Sequence, residues 1–232
     1  ALTAVWWLVF SLPLLKNCEQ TTGKPYQKGD LGASVKNVFV TLKEIGADKP
    51  MLIYILSYFF YIDGVHTIIS MSTSYGTDLG IDSTQLVLAL LVTQFVAFPS
   101  AIAYGNLAKR FGTKRMLKVG VLAYFFIVLF AAFFLKSAVE FWILAICVGL
   151  FQGGIQALSR SEYGKLIPKE RANEYYGFFD IFGKYAAVMG TFLVSAFTQL
   201  TGSSSLGVLS IALLFIVGFL FLRAMPPMLG DS

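Results

Sequence analysis

Acidic, basic and amide side chains interrupt several long apolar stretches of the chain, and these interruptions are the first candidates for chemistry. Asp63 and His66 lie three residues apart near the middle of one stretch, so on a helix they share a face. An ionisable group inside a membrane is costly unless it is paired or hydrated, and an imidazole exchanges protons near neutral pH. We therefore expect Asp63 and His66 to bind a substrate or a proton; the alternative is a satisfied polar contact within a helix bundle.

Two amide side chains, Gln152 and Gln156, occur beside the adjacent glycines Gly153 and Gly154 in another apolar stretch. Adjacent glycines weaken a helix and let another backbone or a ligand approach closely. The pattern is consistent with a broken helix that lines a substrate site, although tight packing of the helix on a neighbour is the commoner cause of such a pattern. We expect Gln152 and Gln156 to line a cavity together with Asp63 and His66.

Asp180 and Lys184 are opposite charges four residues apart in a further apolar stretch. This spacing places the two side chains on one face of a helix, where they can pair. We expect a charge pair that acts in gating between helices; the alternative is a structural ion pair that locks the helix to its neighbour.

The sequence lacks the motifs of several enzyme classes. It has no Walker A pattern, no zinc-binding helix motif and no CxxC pair, and its single histidine lies inside an apolar stretch. Cys18 lies in a polar segment and Cys147 in an apolar one, which does not indicate a disulfide framework. We therefore expect no enzymatic activity, no metal and no cofactor.

The composition is that of an integral membrane protein. Of 232 residues, 56% are hydrophobic and 13% are charged, whereas soluble domains carry roughly 25% charged residues. A helix needs about 20 mostly apolar residues to cross a bilayer. Six stretches reach or approach that length, and we call them spans one to six: 51–72, 84–104, 117–135, 141–159, 176–200 and 204–222.

The basic residues predict the orientation of these spans. They cluster in segments 16–49, 105–118 and 160–175 and at the C-terminal end, whereas the other three links contain only Lys136. This alternation is the positive-inside pattern, and it indicates membrane orientation before nucleic-acid binding. We expect residues 16–49 and the C-terminus to be cytoplasmic, in a plasma (inner) membrane.

The polarity of the spans has a period of three. Spans one, two, four and five carry polar groups, whereas spans three and six are almost entirely apolar. We therefore expect an all-α bundle built from two three-helix units, which is residues 50–224. Spans three and six can face lipid all round.

The segments outside the bundle have their own patterns. Residues 1–15 are apolar but short and begin without a basic region, so we expect the tail of a preceding transmembrane helix in a longer protein. Residues 16–49 are a linker whose part 31–46 has the spacing of an amphipathic helix. That helix either lies on the cytoplasmic membrane surface or packs under the bundle as a plain connector. Residues 225–232 form a C-terminal tail.

The link after span two resembles the cytoplasmic loop signature of the major facilitator superfamily. The matching residues are Gly105, Arg110, Gly112, Lys114 and Arg115. Lys109 stands where the signature has an aspartate. The chain therefore departs from the signature at the residue to which the superfamily's charge relay is attributed.

Three further blocks, 61–67, 152–161 and 176–184, are similar to permeases grouped with the fungal vacuolar amino-acid effluxer linked to autophagy. The resemblance implies the C-terminal half of a twelve-helix permease, which would act by secondary transport and alternating access on a small solute such as an amino acid. It also implies three partners: the lipid bilayer, a small-molecule substrate, and a missing N-terminal half or a second copy of the chain. The alternatives are a homodimeric half-transporter and a membrane scaffold or sensor that does not transport.

Overall fold

The computed structural model describes residues 2–17 and 30–226, and the described backbone is almost entirely helical. The described helices are α1 (Leu2–Asn17), α2 (Asp30–Ala47), α3 (Lys49–Asp78), α4 (Ser83–Phe111), α5 (Thr113–Phe134), α6 (Ala138–Leu166), α7 (Ala172–Tyr185), α8 (Val188–Thr201) and α9 (Ser204–Ala224). A short 3-10 turn, Lys169–Arg171, precedes α7. Six membrane-length segments are present, with α7 and α8 together forming the fifth. The prediction of an all-α bundle with six spans is confirmed.

The chain divides into two compact units, Ala1–Phe39 and Val40–Ser232. In the first, α1 has 16 residues, which gives a length of about 24 Å, shorter than the ~30 Å hydrocarbon core. The segment predicted to be the tail of a preceding transmembrane helix is thus helical over its described residues, and its place in a membrane stays a prediction. Residues 18–29 of the predicted linker and 227–232 of the predicted tail lie outside the described residues.

Side-chain caps and a glycine turn mark several of the helix ends. The side chain of Asp48 accepts a hydrogen bond from the Met51 amide at 3.1 Å and caps α3, and Asp82 accepts one from Thr84 at 2.9 Å and caps α4. Gly112 turns the chain between α4 and α5 with a φ of 88°, a conformation that favours glycine.

Glycines bring α4 and α6 close together. A Cβ on Gly153 would lie 2.8 Å from the Ala97 carbonyl oxygen, and one on Gly149 would lie 2.8 Å from that of Thr93. Gly154 faces the side chain of Tyr104. Because α6 runs without a break from Ala138 to Leu166, the two glycines serve tight packing, and the broken-helix alternative for span four is wrong.

The expectation that spans three and six face lipid all round is also wrong. Tyr124 of α5 stacks on Phe215 of α9 at 5.6 Å, and both side chains are buried. Half of the most apolar 18-residue segment of α9 is buried inside the bundle. Apolar composition suits a protein core as well as lipid, so it does not distinguish the two environments.

Span five is divided, where the sequence predicted one continuous stretch over 176–200. The helix stops after Tyr185 and restarts at Val188, and Ala187 adopts a φ of 81°. This is the left-handed region, which is unfavourable for alanine, so surrounding contacts must hold the break.

The helix predicted over 31–46 is present as α2. In its last turns the side chains of Thr41 and Ile45 are buried, whereas Leu42 is exposed. This part of α2, which belongs to the same unit as the bundle, packs as a connector rather than lying free on a surface.

The close approach of α4 and α6 predicts a position-specific effect of adding a methyl group. Gly153→Ala should destabilise the protein by about 1 to 3 kcal/mol, because the new Cβ meets a backbone oxygen that cannot move aside. Gly177→Ala is the matched control, since a Cβ there meets no atom within 4 Å. Thermal unfolding in detergent measures both; equal melting temperatures for the two variants would contradict this packing.

Candidate substrate cavity

An open cavity of about 470 Å³ lies between α3, α6 and α7. Its lining combines charged, polar and aromatic side chains, and it comprises Tyr58, Ile62, His66, Gln156, Arg160, Phe179, Asp180, Gly183 and Lys184. Four residues proposed from the sequence, His66, Gln156, Asp180 and Lys184, therefore meet in one place.

Asp180 pairs with a residue that the sequence analysis did not select. Its carboxylate lies 3.0 Å from the Arg160 guanidinium of α6, and this ion pair replaces the predicted pairing with Lys184. The Arg160 guanidinium also lies over the Tyr176 ring at 5.0 Å. Asp180 pairs with Arg160 of α6 rather than with Lys184 of its own helix, because side chains of α6 and α7 converge on the cavity.

Arg160 could have been found from sequence, since it lies four residues after Gln156 and shares its helix face. The positive-inside pattern instead assigns Arg160 to the cytoplasmic segment 160–175.

The cavity carries more positive than negative charge. Lys184 is exposed to it and makes no ion pair within the part of the chain that the structure describes. With Arg160 and Lys184 against the single carboxylate of Asp180, the formal balance is one positive charge before His66 is counted. The arrangement can bind a carboxylate at the cationic side chains and an ammonium group near Asp180.

Asp63 does not line this cavity. Its side chain is fully buried, and its carboxylate accepts hydrogen bonds from the amides of Ala187 and Gly190, the latter at 3.1 Å. The hydroxyl of Thr67 also donates to it, at 3.4 Å. Asp63 of α3 thus caps the N-terminus of α8 from another helix.

This cap explains the break in span five. The first amides of a helix lack intrahelical acceptors, and the positive end of the helix dipole favours a carboxylate. Gly190 is required at the contact, because a Cβ there would overlap the Thr67 side chain. The cap fixes the start of α8, and only Ala186 and Ala187 separate this point from α7, which carries Asp180 and Lys184.

Aromatic and hydroxyl groups join α3 to its neighbours α6 and α7. The Tyr54 hydroxyl donates to the Ser159 carbonyl at 2.6 Å, and the hydroxyls of Tyr61 and Ser159 are 2.7 Å apart. On the cavity side, Tyr58 stacks on Phe179 of α7 at 3.9 Å.

Gln152 lies elsewhere. It lines a separate pocket of about 40 Å³ between α3, α4 and α6, together with Gln94. Its Oε1 is buried and has no partner among the described atoms. The structure therefore separates Gln152 from the other candidates.

The residues of the loop signature connect helix ends. Lys114 donates to the carbonyl oxygens of Met225 at 2.5 Å and Pro226 at 3.0 Å, just after α9 ends. The Arg110 guanidinium lies 5.3 Å from the Phe111 ring. Gly105 and Arg115 belong to the same segment, at the end of α4 and the start of α5.

Glu162 is a buried carboxylate that the sequence analysis placed in a cytoplasmic link. Because α6 extends to Leu166, this side chain is fully buried, and it pairs with Lys165 at 2.7 Å. Lys165 also donates to Thr113 at 3.0 Å and so joins α6 to the signature segment. No group of three His, Cys, Asp or Glu side chains that could hold a metal occurs within the described residues.

Six membrane-length segments, with a charged cavity between α3, α6 and α7, define a multi-pass membrane protein with the form of one six-helix half of a major facilitator permease. The model of the family described as "Vacuole effluxer Atg22 like" matches residues 1–228. The chain belongs to this family.

Individual relatives agree with that assignment. The chain is 47% identical over 225 residues to the uncharacterized MFS-type transporter YxiO of Bacillus subtilis, covering 97% of this chain and 52% of the relative. It is 26% identical to autophagy-related protein 22 of Cryptococcus neoformans and 24% identical to that of Saccharomyces cerevisiae, covering 93% and 85% of this chain and 42% and 44% of those proteins. The chain thus spans about half the length of the curated relatives it matches.

The cap on α8 predicts a large effect of removing the Asp63 carboxylate. Asp63→Ala leaves the buried amide of Gly190 without an acceptor, which costs about 1 to 3 kcal/mol, and also removes the acceptor of the partly buried Ala187 amide. Asp63→Asn keeps one acceptor oxygen and should lie between the alanine variant and the unmodified protein.

Asp82→Ala is the control, because it removes an ordinary cap at the start of α4, for a loss of about 1 kcal/mol. Thermal unfolding in detergent compares the variants. If Asp63→Ala is no more destabilising than Asp82→Ala, Asp63 does not hold the break.

Proposed function

We propose that this chain forms one half of a secondary transporter that works by alternating access. The observation that carries the proposal is the open, charged cavity between α3, α6 and α7 in a protein of the Atg22-like family. In such transporters the substrate binds near the bilayer midplane between two halves. A second half, either the rest of a longer protein or a second copy, would close the cavity.

We propose a small solute that bears a carboxylate, such as an amino acid, as the substrate. Lys184 and Arg160 supply cations for the carboxylate, and Asp180 supplies an anion for an amino group. Gln156 and His66 offer hydrogen bonds beside them. The description of the family as vacuole effluxers supports export of a small solute.

The partner half would also cover exposed apolar surface. Phe95 and Phe98 of α4 and Phe192 and Leu200 of α8 are largely exposed. Such surfaces are covered in a membrane either by lipid or by another helix bundle.

The substrate proposal predicts a specific effect of neutralising Lys184. Lys184→Gln in the full-length protein should raise KM for a carboxylate-bearing substrate about tenfold or more, because a charge-assisted hydrogen bond is lost. Lys136→Gln is the control, since Lys136 lies on a short link outside the cavity. Proteoliposome uptake with a panel of amino acids and an imposed pH gradient measures both variants.

An unchanged KM in Lys184→Gln would contradict this role of Lys184. Failure of the full-length protein to transport any member of the panel, with binding retained, would favour the scaffold or sensor instead.

The positive-inside pattern leads to a proposal for orientation: α2, the α4–α5 turn and the end of α9 face the cytoplasm of a plasma (inner) membrane. A cysteine at Lys109, which is exposed near the end of α4, should resist an impermeant thiol reagent added to intact cells. A cysteine at Lys136, on the opposite links, should react. The reverse result would invert the orientation.

A further inference from the structure

A cluster of charges outside the cavity joins the last turns of α2 to the start of α7. The guanidinium of Arg171 lies between two carboxylates, at 2.7 Å from Glu44 of α2 and 2.7 Å from Glu174 of α7. The Nε and Nη2 atoms of Arg171 donate to Glu174, and its Nη1 atom donates to both carboxylate oxygens of Glu44. We call Arg171, Glu44, Glu174, Thr41 and Tyr175 the clasp.

Two neutral groups complete the clasp. Arg171 also donates to the Thr41 hydroxyl at 3.0 Å, and the Tyr175 hydroxyl donates to Glu44 at 2.9 Å. Thr41 and Tyr175 are buried, whereas the charged side chains of Arg171 and Glu44 are half-exposed. The contact between α2 and α7 therefore combines buried neutral groups with half-exposed charges.

The charge count makes Arg171 the critical member. One cation lies between two carboxylates, so its loss leaves Glu44 and Glu174 facing each other without a counter-charge. The hydrogen bonds from Arg171 and Tyr175 lower the pKa of Glu44. A lowered pKa means that the clasp is intact at neutral pH and weakens only as the pH falls through that value.

The clasp holds one of the two ends of α7. α7 is a rod of 14 residues, about 21 Å long. At one end it meets the break at Ala187, and at the other end it is fastened to α2 by Arg171. The cavity residues Asp180 and Lys184 lie between these two ends.

We propose that Arg171 is a positioning residue that latches α7 onto α2 and so sets the position of the cavity wall that α7 carries. Release of the clasp lets α7 swing about the break at Ala187 and opens the cavity on the side of α2. The consequence for transport rests on the proposed function, whereas the latch itself does not.

Accessibility of a buried cavity residue tests the latch. Ile62 of α3 is 1% exposed and lines the cavity opposite α7, so a cysteine there reacts faster when α7 moves away. The experiment uses full-length protein in detergent, with Cys18 and Cys147 replaced, Ile62→Cys introduced and a maleimide as the probe.

Arg171→Gln should increase the labelling rate about three- to tenfold, the range expected for loss of two partly exposed ion pairs. Arg171→Lys should restore part of the protection. Lys169→Gln should leave the rate unchanged, since Lys169 is a neighbouring exposed cation whose side chain makes no ion pair or hydrogen bond with the clasp.

Salt provides a test that needs no change at Arg171. Raising the salt concentration from about 0.1 M to about 1 M screens the half-exposed pairs and should speed labelling in protein with Arg171 intact, but not in Arg171→Gln. Labelling rates that respond neither to salt nor to Arg171→Gln overturn the latch, whatever the transport assay shows. If labelling responds as expected while the full-length protein does not transport, the latch stands and the proposed function fails.

Discussion

The arrangement of the cavity depends on one buried carboxylate, that of Asp63, which holds the N-terminus of α8. This carboxylate belongs to α3. It accepts hydrogen bonds from two backbone amides at the start of α8 and from the hydroxyl of Thr67. A broken helix in hydrocarbon exposes backbone groups that water cannot satisfy, so a break persists only where protein groups complete its hydrogen bonds. Asp63 supplies these bonds, and the left-handed conformation of Ala187 is tolerated because the cap fixes the residues around it.

The cap has a consequence for the cavity, because α7 becomes a separate element with its own direction. Its polar face brings Asp180 to Arg160 of α6 and leaves Lys184 in the cavity. Behind the cavity, tyrosine and serine hydrogen bonds join α3 to α6. The clasp at Arg171 holds the other end of α7 through partly exposed ion pairs, which are weak individually and therefore suited to release.

Much of the fold could be predicted from sequence, since hydrophobic length determines where helices cross a membrane. The break at Ala186 and Ala187 could not, because neither residue is a glycine or proline and its cause, Asp63, lies more than a hundred residues away. The cost of a buried charge identifies Asp63 from sequence as a residue with a special role, but the sequence does not identify the amides that it binds. The partner of Asp180 was missed likewise, because helical spacing identifies only pairs within one helix.

The most direct test of the central claim measures whether Asp63 fixes the position of α7. Spin labels at Gly105 on α4 and Gly177 on α7 suit the measurement, because an added Cβ at either position meets no atom within 4 Å. Double electron–electron resonance on full-length protein should give a narrow distance distribution when Asp63 is present. Asp63→Ala should broaden or shift that distribution, because α8 loses its cap and the break no longer sets the direction of α7. An unchanged narrow distribution in folded Asp63→Ala protein would contradict the account.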